Sequence, residues 1–320
     1  MSEFLAITGS TTSGKTAVSL RVAEILDGEI ISMDSRQVYR GMDIATDKLP
    51  EAERRAIPHF GLDLKDPSET YSAVEYARNA REWIVNIHVR GRVPILTGGT
   101  GFFLRALTDP IFDQPEVDVG RRDRLRRHLT SFEGTKLERW ARVLDPDRAD
   151  LAAQGGPQRL ARTVEVPLLT GRPLSWWHEY GGPEAEPMSG VIVVLDLPRE
   201  ELDKRIDARV VRMVDAGLVG EVERLIAAGY GPDDPGMTGT GYREIGRYLG
   251  EECTLEEALE DMSRATKRYA RRQMTWFRHQ LPDDVVHVDG MQAIEEQVEI
   301  VVAAWSGMVE DNVTAAGGGT

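Results

Sequence analysis

One stretch near the start of the chain limits its possible folds more than any other. Gly9, Ser10, Thr11, Thr12, Ser13, Gly14, Lys15 and Thr16 fit the pattern G-x-x-x-x-G-K-[ST]. The apolar run Phe4–Thr8 precedes them and reads as a buried strand. Lys15–Leu26 follows, with Val18, Val22 and Ile25 at helical spacing. Strand, glycine loop and helix in that order make a phosphate-binding loop. The residue types explain why. Gly9 and Gly14 let the backbone fold round an anion, and consecutive N–H groups at a helix N-terminus then face it. Lys15 adds a point charge on the outer phosphates, and the Thr16 hydroxyl can ligate Mg²⁺. The loop does not choose its ligand. An ATPase, a small-molecule kinase and a diphosphate-releasing transferase all fit it.

The surrounding sequence alternates strand and helix patterns. Glu29–Ser32 and Pro94–Thr97 read as strands, and Tyr71–His88 as a long helix. Such alternation implies a parallel sheet with helices on both faces. From about Asp118 to Thr170 only helical periodicity appears, rich in Arg and Leu. Gly181–Gly190 reads as a linker, after which Val191–Leu197 and Val285–Val288 return as strands. Glu200–Ala228 and Leu255–Gln280 read as further core helices. The expected fold class is α/β: a P-loop NTPase-like parallel sheet flanked by helices, with an inserted small all-helical domain. The core takes residues 1–115 and 186–305 and the insertion 116–185. The small residues Ala315–Thr320 suggest a disordered tail over 306–320.

Three strand ends should meet in one crevice, because ligands of open α/β sheets bind beyond the carboxyl ends of the strands. Asp34, Ser35, Arg36 and Gln37 follow the second strand, and Thr97-Gly98-Gly99-Thr100-Gly101 follows the third. Asp34 beside a polyphosphate can be a general base or a metal ligand, or simply a turn aspartate. The glycine run can equally be a tight turn. Late in the chain, Arg264, Lys267, Arg268, Arg271, Arg272 and Arg278 share one face of a helix, opposite Met262, Ala265, Tyr269, Trp276 and Phe277. The apolar side is expected to pack on the core. The basic side meets solvent or an anion, and so does the run Arg121–Arg127, with five arginines against Asp123.

Composition first argues the other way. The formal charge is −14, whereas nucleic-acid binders are usually basic. The acids are segregated, however. Residues 281–320 hold eight acidic residues and no Lys or Arg, and the basic residues gather at 121–127 and 264–278. One cysteine, Cys253, excludes a disulfide framework. The six histidines lack metal-ligand spacing. No signal peptide or membrane span is read, so a soluble cytoplasmic protein is expected.

Several separate motifs over about residues 4–290 resemble the bacterial tRNA dimethylallyltransferases. Ile31–Ile44, with Asp34, Ser35, Arg36 and Gln37 at its heart, is similar to the family's second motif, and Pro94–Gly101 to its third. Gln158, Arg159, Leu160, Ala161 and Arg162, then Leu169–Pro173, match the return of the insertion. Ala216–Val222 and Arg268–Arg278 match two core helices. Departures occur at Ala45, where glycine is usual, and at Asp47, where alanine is usual. Residues His59–Asp63, Ala153–Pro157 and Thr240 also differ from the common pattern.

The resemblance implies transfer of a dimethylallyl group from dimethylallyl diphosphate to N6 of adenosine at tRNA position 37, releasing diphosphate. It places the diphosphate in residues 9–16, with Lys15, Thr16, Mg²⁺ and Arg209 on the leaving group. It implies Asp34 as general base, with Thr100 beside the adenine. It implies tRNA contacts from Asp34, Ser35, Arg36, Gln37, Thr100, Arg122 and Gln158–Arg162. The basic faces of the two helical runs, including Arg268, Arg271 and Arg272, would meet the anticodon stem-loop. A monomer without membrane contact is expected. The competing readings are an adenylate isopentenyltransferase on free AMP, ADP or ATP, a P-loop kinase, and a non-catalytic RNA-binding module.

Overall fold

A computed structural model describes residues 3–110, 117–183 and 185–317. Six parallel strands form one sheet: β1 (Phe4–Gly9), β2 (Gly28–Ser32), β3 (His59–Phe60), β4 (Val93–Gly98), β5 (Gly190–Asp196) and β6 (Val286–Asp289). Their order across the sheet is β3-β2-β4-β1-β5-β6. β1 therefore lies centrally, with Ile7 opposite Thr97 of β4 and Val193 of β5. All six residues of β1 are buried. This fits a strand covered on both faces, whose sequence need not alternate with polar residues.

Helices cover the two faces. α1 (Lys15–Leu26) and α13 (Ile294–Gly317) close one side. There Leu5, Ile7, Val18, Val22, Val193, Val301 and Trp305 form one apolar cluster. α2 (Ala73–Val89) and α12 (Leu255–Gln280) lie against the sheet elsewhere, and α3 (Gly101–Thr108) packs on both of them. α9 (Arg199–Asp215), α10 (Leu218–Ala227) and α11 (Tyr242–Leu249) build a second cluster with the segment after β2, through Val38, Met42, Val210, Val222, Tyr242 and Met262. That cluster holds the residues following Asp34 in place.

The chain divides into two compact units, Met1–Asp109 with Pro187–Thr320, and Pro110–Glu186. The second unit is α4 (Val119–Thr130), α5 (Gly134–Leu144), α6 (Pro146–Gln154), α7 (Pro157–Thr170) and α8 (Leu174–Tyr180). Its own core joins Leu129, Leu137, Ala141, Ala149, Leu160 and Val164. The boundary expected at 115/116 lies outside the described residues.

Several expectations change. The helix read over Glu200–Ala228 is two helices, because Gly217 takes φ 95° between α9 and α10. That left-handed conformation suits glycine and turns the chain. The strand β3 is an addition, since two residues carry no readable period. α13 continues helically to Gly317, not as the disordered tail expected over 306–320. Its Trp305 and Met308 pack on the core cluster, which anchors the helix. Residues 318–320 lie outside the described residues.

A side chain at Gly98 should be costly. Its Cβ would lie 2.1 Å from the Met33 carbonyl oxygen, which is backbone and cannot swing away. Gly98→Ala is expected to lower stability in urea unfolding by about 1–3 kcal/mol. Gly246→Ala, in a helix with open space at the Cβ, should leave it unchanged or raise it by about 0.4–1 kcal/mol. Equal midpoints for the two variants would contradict the crowding.

Candidate active site

The glycine loop joins β1 to α1, and its two framing glycines serve different ends. A Cβ on Gly9 would lie 2.6 Å from the Leu195 carbonyl oxygen, so Gly9 lets β1 run close beside β5. Gly14 has open space but φ 92°. Its need is conformational, and it caps α1. Thr12 holds φ 63°, uncommon for a branched residue, and its buried hydroxyl has no partner among the described residues. Strained residues and orphaned polar atoms concentrate at binding sites.

The loop's N–H groups are divided in use. Those of Ser13 and Ala17 close turns onto Ser10 and Gly14 carbonyls, at 3.3 and 3.1 Å. That of Thr11 donates to Oε1 of Gln273 at 2.9 Å. Those of Thr12, Gly14, Lys15 and Thr16 have no protein acceptor among the described residues. Together with the start of α1 they form a nest of donors for an anion. Lys15 Nζ lies over the loop, donating to the carbonyls of Gly9 at 3.1 Å and Ser10 at 2.5 Å. Its pKa falls from 10.5 to about 8, because burial disfavours the charge and Arg209 repels it, against attraction from Asp34 and Asp47.

Arg209, on α9, reaches the same loop. Its Nη1 donates to Oγ1 of Thr11 at 2.6 Å, and Asp47 Oδ2 lies 3.6 Å away. The guanidinium that the family resemblance implied is thus beside Gly9–Thr16. Thr16 is exposed at the first turn of α1.

The acceptor side is built by the segment after β2 and the loop after β4. Asp34 Oδ1 accepts the Arg36 N–H at 2.8 Å, an Asx-type turn that fixes the carboxylate. The Ser35 N–H donates to Oγ1 of Thr100 at 3.1 Å, and the Thr100 N–H to the Met33 carbonyl at 3.2 Å. Asp34 and Thr100 are therefore held one residue apart across two loops. The glycines of the β4 loop permit this approach. A Cβ on Gly99 would meet the Gln273 side chain at 2.2 Å, and on Gly101 the Trp276 ring at 2.2 Å.

Other expected residues are placed differently. Gln37 braces its own loop: its Oε1 accepts from Ser32 Oγ at 2.8 Å and its Nε2 donates to the Thr46 carbonyl at 3.2 Å. Arg36 Nη1 donates to the Pro235 carbonyl at 2.6 Å. Behind them, buried Glu221 accepts the N–H of Ile44 at 2.9 Å and the hydroxyl of Tyr242 at 2.6 Å. Burial, then the Glu221 charge, pushes the Tyr242 hydroxyl far above its ordinary range, so it stays a donor.

The basic face of α12 is only partly free. Arg264 pairs with Asp261 at 2.6 Å, Lys267 with Asp207 at 2.7 Å, and Arg271 lies 3.5 Å from Asp203. Arg268 and Arg272 are exposed and have no carboxylate partner among the described residues. Tyr269, expected on the apolar side, is not core. It is 37 % exposed, and burial and the Asp34 charge raise its pKa to about 12. By register it lies within the apolar face, about 20° from Met262, so its exposure reflects what that face meets at this point of the fold and not its place on the helix.

In the second unit, Arg122 lies on α4 and Gln158–Arg162 on α7. Arg126 and Arg162 both bind buried Glu165, at 2.8 and 3.2 Å. Burial lowers the Arg162 pKa. Gln158 and Arg159 are exposed. Leu160 is a correction: it is 4 % exposed in that unit's core, so its side chain is not available to RNA. It occupies the apolar position of an amphipathic turn.

Gln273 escaped the sequence reading. A glutamine among six cations looks like one more solvated residue, yet it is 7 % exposed and both its amide atoms are used. The available signal was its helical register with Met262 and Phe277, which are buried too.

The described residues contain no group of three His, Cys, Asp or Glu that could hold a metal. A Mg²⁺ ion usually needs only one or two protein oxygens plus substrate phosphates. The exposed Thr16 hydroxyl beside the donor nest fits that need.

A family model described as IPP transferase matches residues 37–280. A tRNA dimethylallyltransferase of Thermomicrobium roseum is 40 % identical, over 98 % of this chain and 96 % of its own. One of Moorella thermoacetica is 42 % identical, over 85 % and 86 %. Among solved structures, the full-length tRNA isopentenylpyrophosphate transferase of Bacillus halodurans matches with TM-score 0.72 at 33 % identity, over 99 % of both chains. A eukaryotic dimethylallyltransferase acting on tRNA matches with TM-score 0.80 at 26 % identity, over 96 % of this chain and 80 % of its own.

The Lys15 pKa gives a test of the donor nest. An ammonium titrating near 8 is mostly charged at about pH 7 and mostly neutral at about pH 9. Affinity for inorganic diphosphate should therefore fall as pH rises through 8, relative to Lys15→Met at the same pH. That comparison cancels the ligand's own ionisation. A constant ratio between the two proteins across this range would contradict the assignment.

Proposed function

The chain belongs to the IPP transferase family, and from that premise we propose how its residues carry out the transfer. It is an enzyme that transfers a prenyl group to tRNA adenosine. The donor is dimethylallyl diphosphate, and the acceptor atom is N6 of the adenosine at position 37, beside the anticodon. The observation that carries this reading is the pairing of an anion nest with a fixed carboxylate: Gly9–Thr16 and Arg209 on one side, Asp34 and Thr100 on the other.

The donor diphosphate lies in Gly9–Thr16, against the free N–H groups of Thr12, Gly14, Lys15 and Thr16. Lys15 and Arg209 stabilise the charge that builds on it as the carbon–oxygen bond breaks. Donors fixed before the reaction need no reorganisation when charge develops, and in many enzymes this contributes more to the rate than any other effect. Thr16 would hold Mg²⁺ together with the diphosphate oxygens, and the ion when bound would neutralise further charge on the leaving group.

An exocyclic adenine amine is a poor nucleophile while it keeps both protons. Asp34 takes one as the bond from N6 to the prenyl carbon forms. Thr100 accepts the Ser35 N–H and so aligns the carboxylate, and it lies where the adenine edge enters. The base must leave its stack to reach this crevice. Arg268 and Arg272 supply unpaired charge for the anticodon stem-loop, and Gln158, Arg159, Arg162 and Arg122 are the candidates in the second unit. One chain supplies the donor nest, base and acceptor loop, which supports action as a monomer, and likeness to bacterial tRNA-modifying enzymes supports a place in the cytoplasm. No helix among the described residues is long and apolar enough to cross a membrane.

Incubation with dimethylallyl diphosphate and either tRNA or AMP, followed by mass analysis of nucleosides, tests the reading. Prenylated adenosine is expected from tRNA only, and product from AMP alone would contradict it. Asp34→Ala should lower the transfer rate by about 10²–10⁴-fold while tRNA still binds. Full activity would remove the base. Arg268→Glu with Arg272→Glu should weaken tRNA binding and flatten its salt dependence by about two units of slope. An unchanged slope would return that face to solvent.

A further inference from the structure

Gln273 joins the two halves of the site. Its Oε1 accepts the Thr11 N–H at 2.9 Å, and its Nε2 donates to the Gly99 carbonyl at 2.7 Å. Thr11 in turn receives Arg209 through its hydroxyl, at 2.6 Å. Gly99 precedes Thr100, whose hydroxyl accepts the N–H next to Asp34. One buried amide therefore closes a chain of bonds from the diphosphate-side arginine to the carboxylate. Neither loop group it binds has another partner within its own loop. The carbonyl of Gly99 and the N–H of Thr11 would both be orphaned without it.

Only an amide of this length serves both loops. It offers an acceptor and a donor at a fixed spacing, whereas a carboxylate lacks the donor and an asparagine is one methylene shorter. The fit is tight, since a Cβ on Gly99 would lie 2.2 Å from Nε2 of Gln273. The bond also turns the Thr11 N–H out of the donor nest and towards the acceptor loop.

We propose that Gln273 is a positioning residue that fixes the spacing of the donor loop against the acceptor loop, and so aligns the prenyl carbon with the adenine amine. The assignment rests on the transfer reading above. Gln273 does not touch the reacting atoms. Its effect belongs to alignment, where an error of about 1 Å costs about a hundredfold in rate.

Gln273→Met keeps length and volume and loses both hydrogen bonds. Its kcat should fall by about 10–100-fold, with the KM for dimethylallyl diphosphate and the Kd for the anticodon stem-loop within about threefold of wild type. Gln273→Glu keeps the bond from Thr11 and loses that to Gly99, so its kcat should fall with the same unchanged KM. This second variant decides the matter if Gln273→Met does not fold. Wild-type kcat in the folded variant would overturn the assignment. So would kcat, both affinities and the unfolding midpoint falling together, which is the signature of a packing role. A wild-type protein inactive on tRNA would overturn the transfer reading, and this assignment with it.

Discussion

The site depends on two backbones lying closer than side chains allow. Gly98 and Met33 touch main chain to main chain at the ends of β4 and β2, with no room for one methyl group. This contact brings the loop after each strand to the same height. Thr100 can then bond both the Met33 carbonyl and the Ser35 N–H. Gly99 leaves space for an amide from α12, and Gly101 for an indole. Each of the three glycines is thus explained by a different neighbour. The carboxylate of Asp34 inherits its position from all of them.

A second support lies behind the carboxylate. The segment from Val38 to Lys48 has no regular structure, so its polar groups need partners from elsewhere. Glu221 supplies them to Asp43 and Ile44, and Lys48 bonds Asp43, Asp63 and the Tyr39 carbonyl. Buried Lys48 is paired with two carboxylates, and buried Glu221 accepts hydrogen bonds on both its oxygens, so neither charge is left unsatisfied. The same segment ends beside Arg209, where Asp47 lies 3.6 Å from the guanidinium. The cluster that packs the loop therefore also orients the diphosphate-side arginine.

Five of the six strands and the donor loop were legible in the sequence because their signals are local. β1, the glycine loop and α1 follow one another, and each residue type has one physical reading. α12 was legible to its end residues, since Thr254 and Glu257 close a capping box and the apolar spacing persists to Phe277. What escaped was set by distant contacts. The glycine run after β4 reads as a turn until Met33, Gln273 and Trp276 are seen against it. Gln273 and Tyr269 share the apolar side of the helix by register, and only the fold shows that this side meets the two loops of the site there. The basic strip on α12 reads as six equal charges, yet acids of α9 and of its own first turns neutralise several of them. The net charge of −14 is similarly uninformative as a sum, because it hides where Arg268 and Arg272 stand uncompensated.

In the proposed reaction, one crevice holds the departing diphosphate and the adenine amine at opposite ends of a short path, with Asp34 at the amine. A crystal structure with a non-reacting thiolo analogue of dimethylallyl diphosphate and an anticodon stem-loop would show both ends at once. The diphosphate is expected on the N–H groups of Thr12 to Thr16, and adenine N6 within hydrogen-bond reach of Asp34, about 2.6–3.2 Å. An adenine whose N6 faces away from Asp34, or a diphosphate bound outside Gly9–Thr16, would contradict that arrangement.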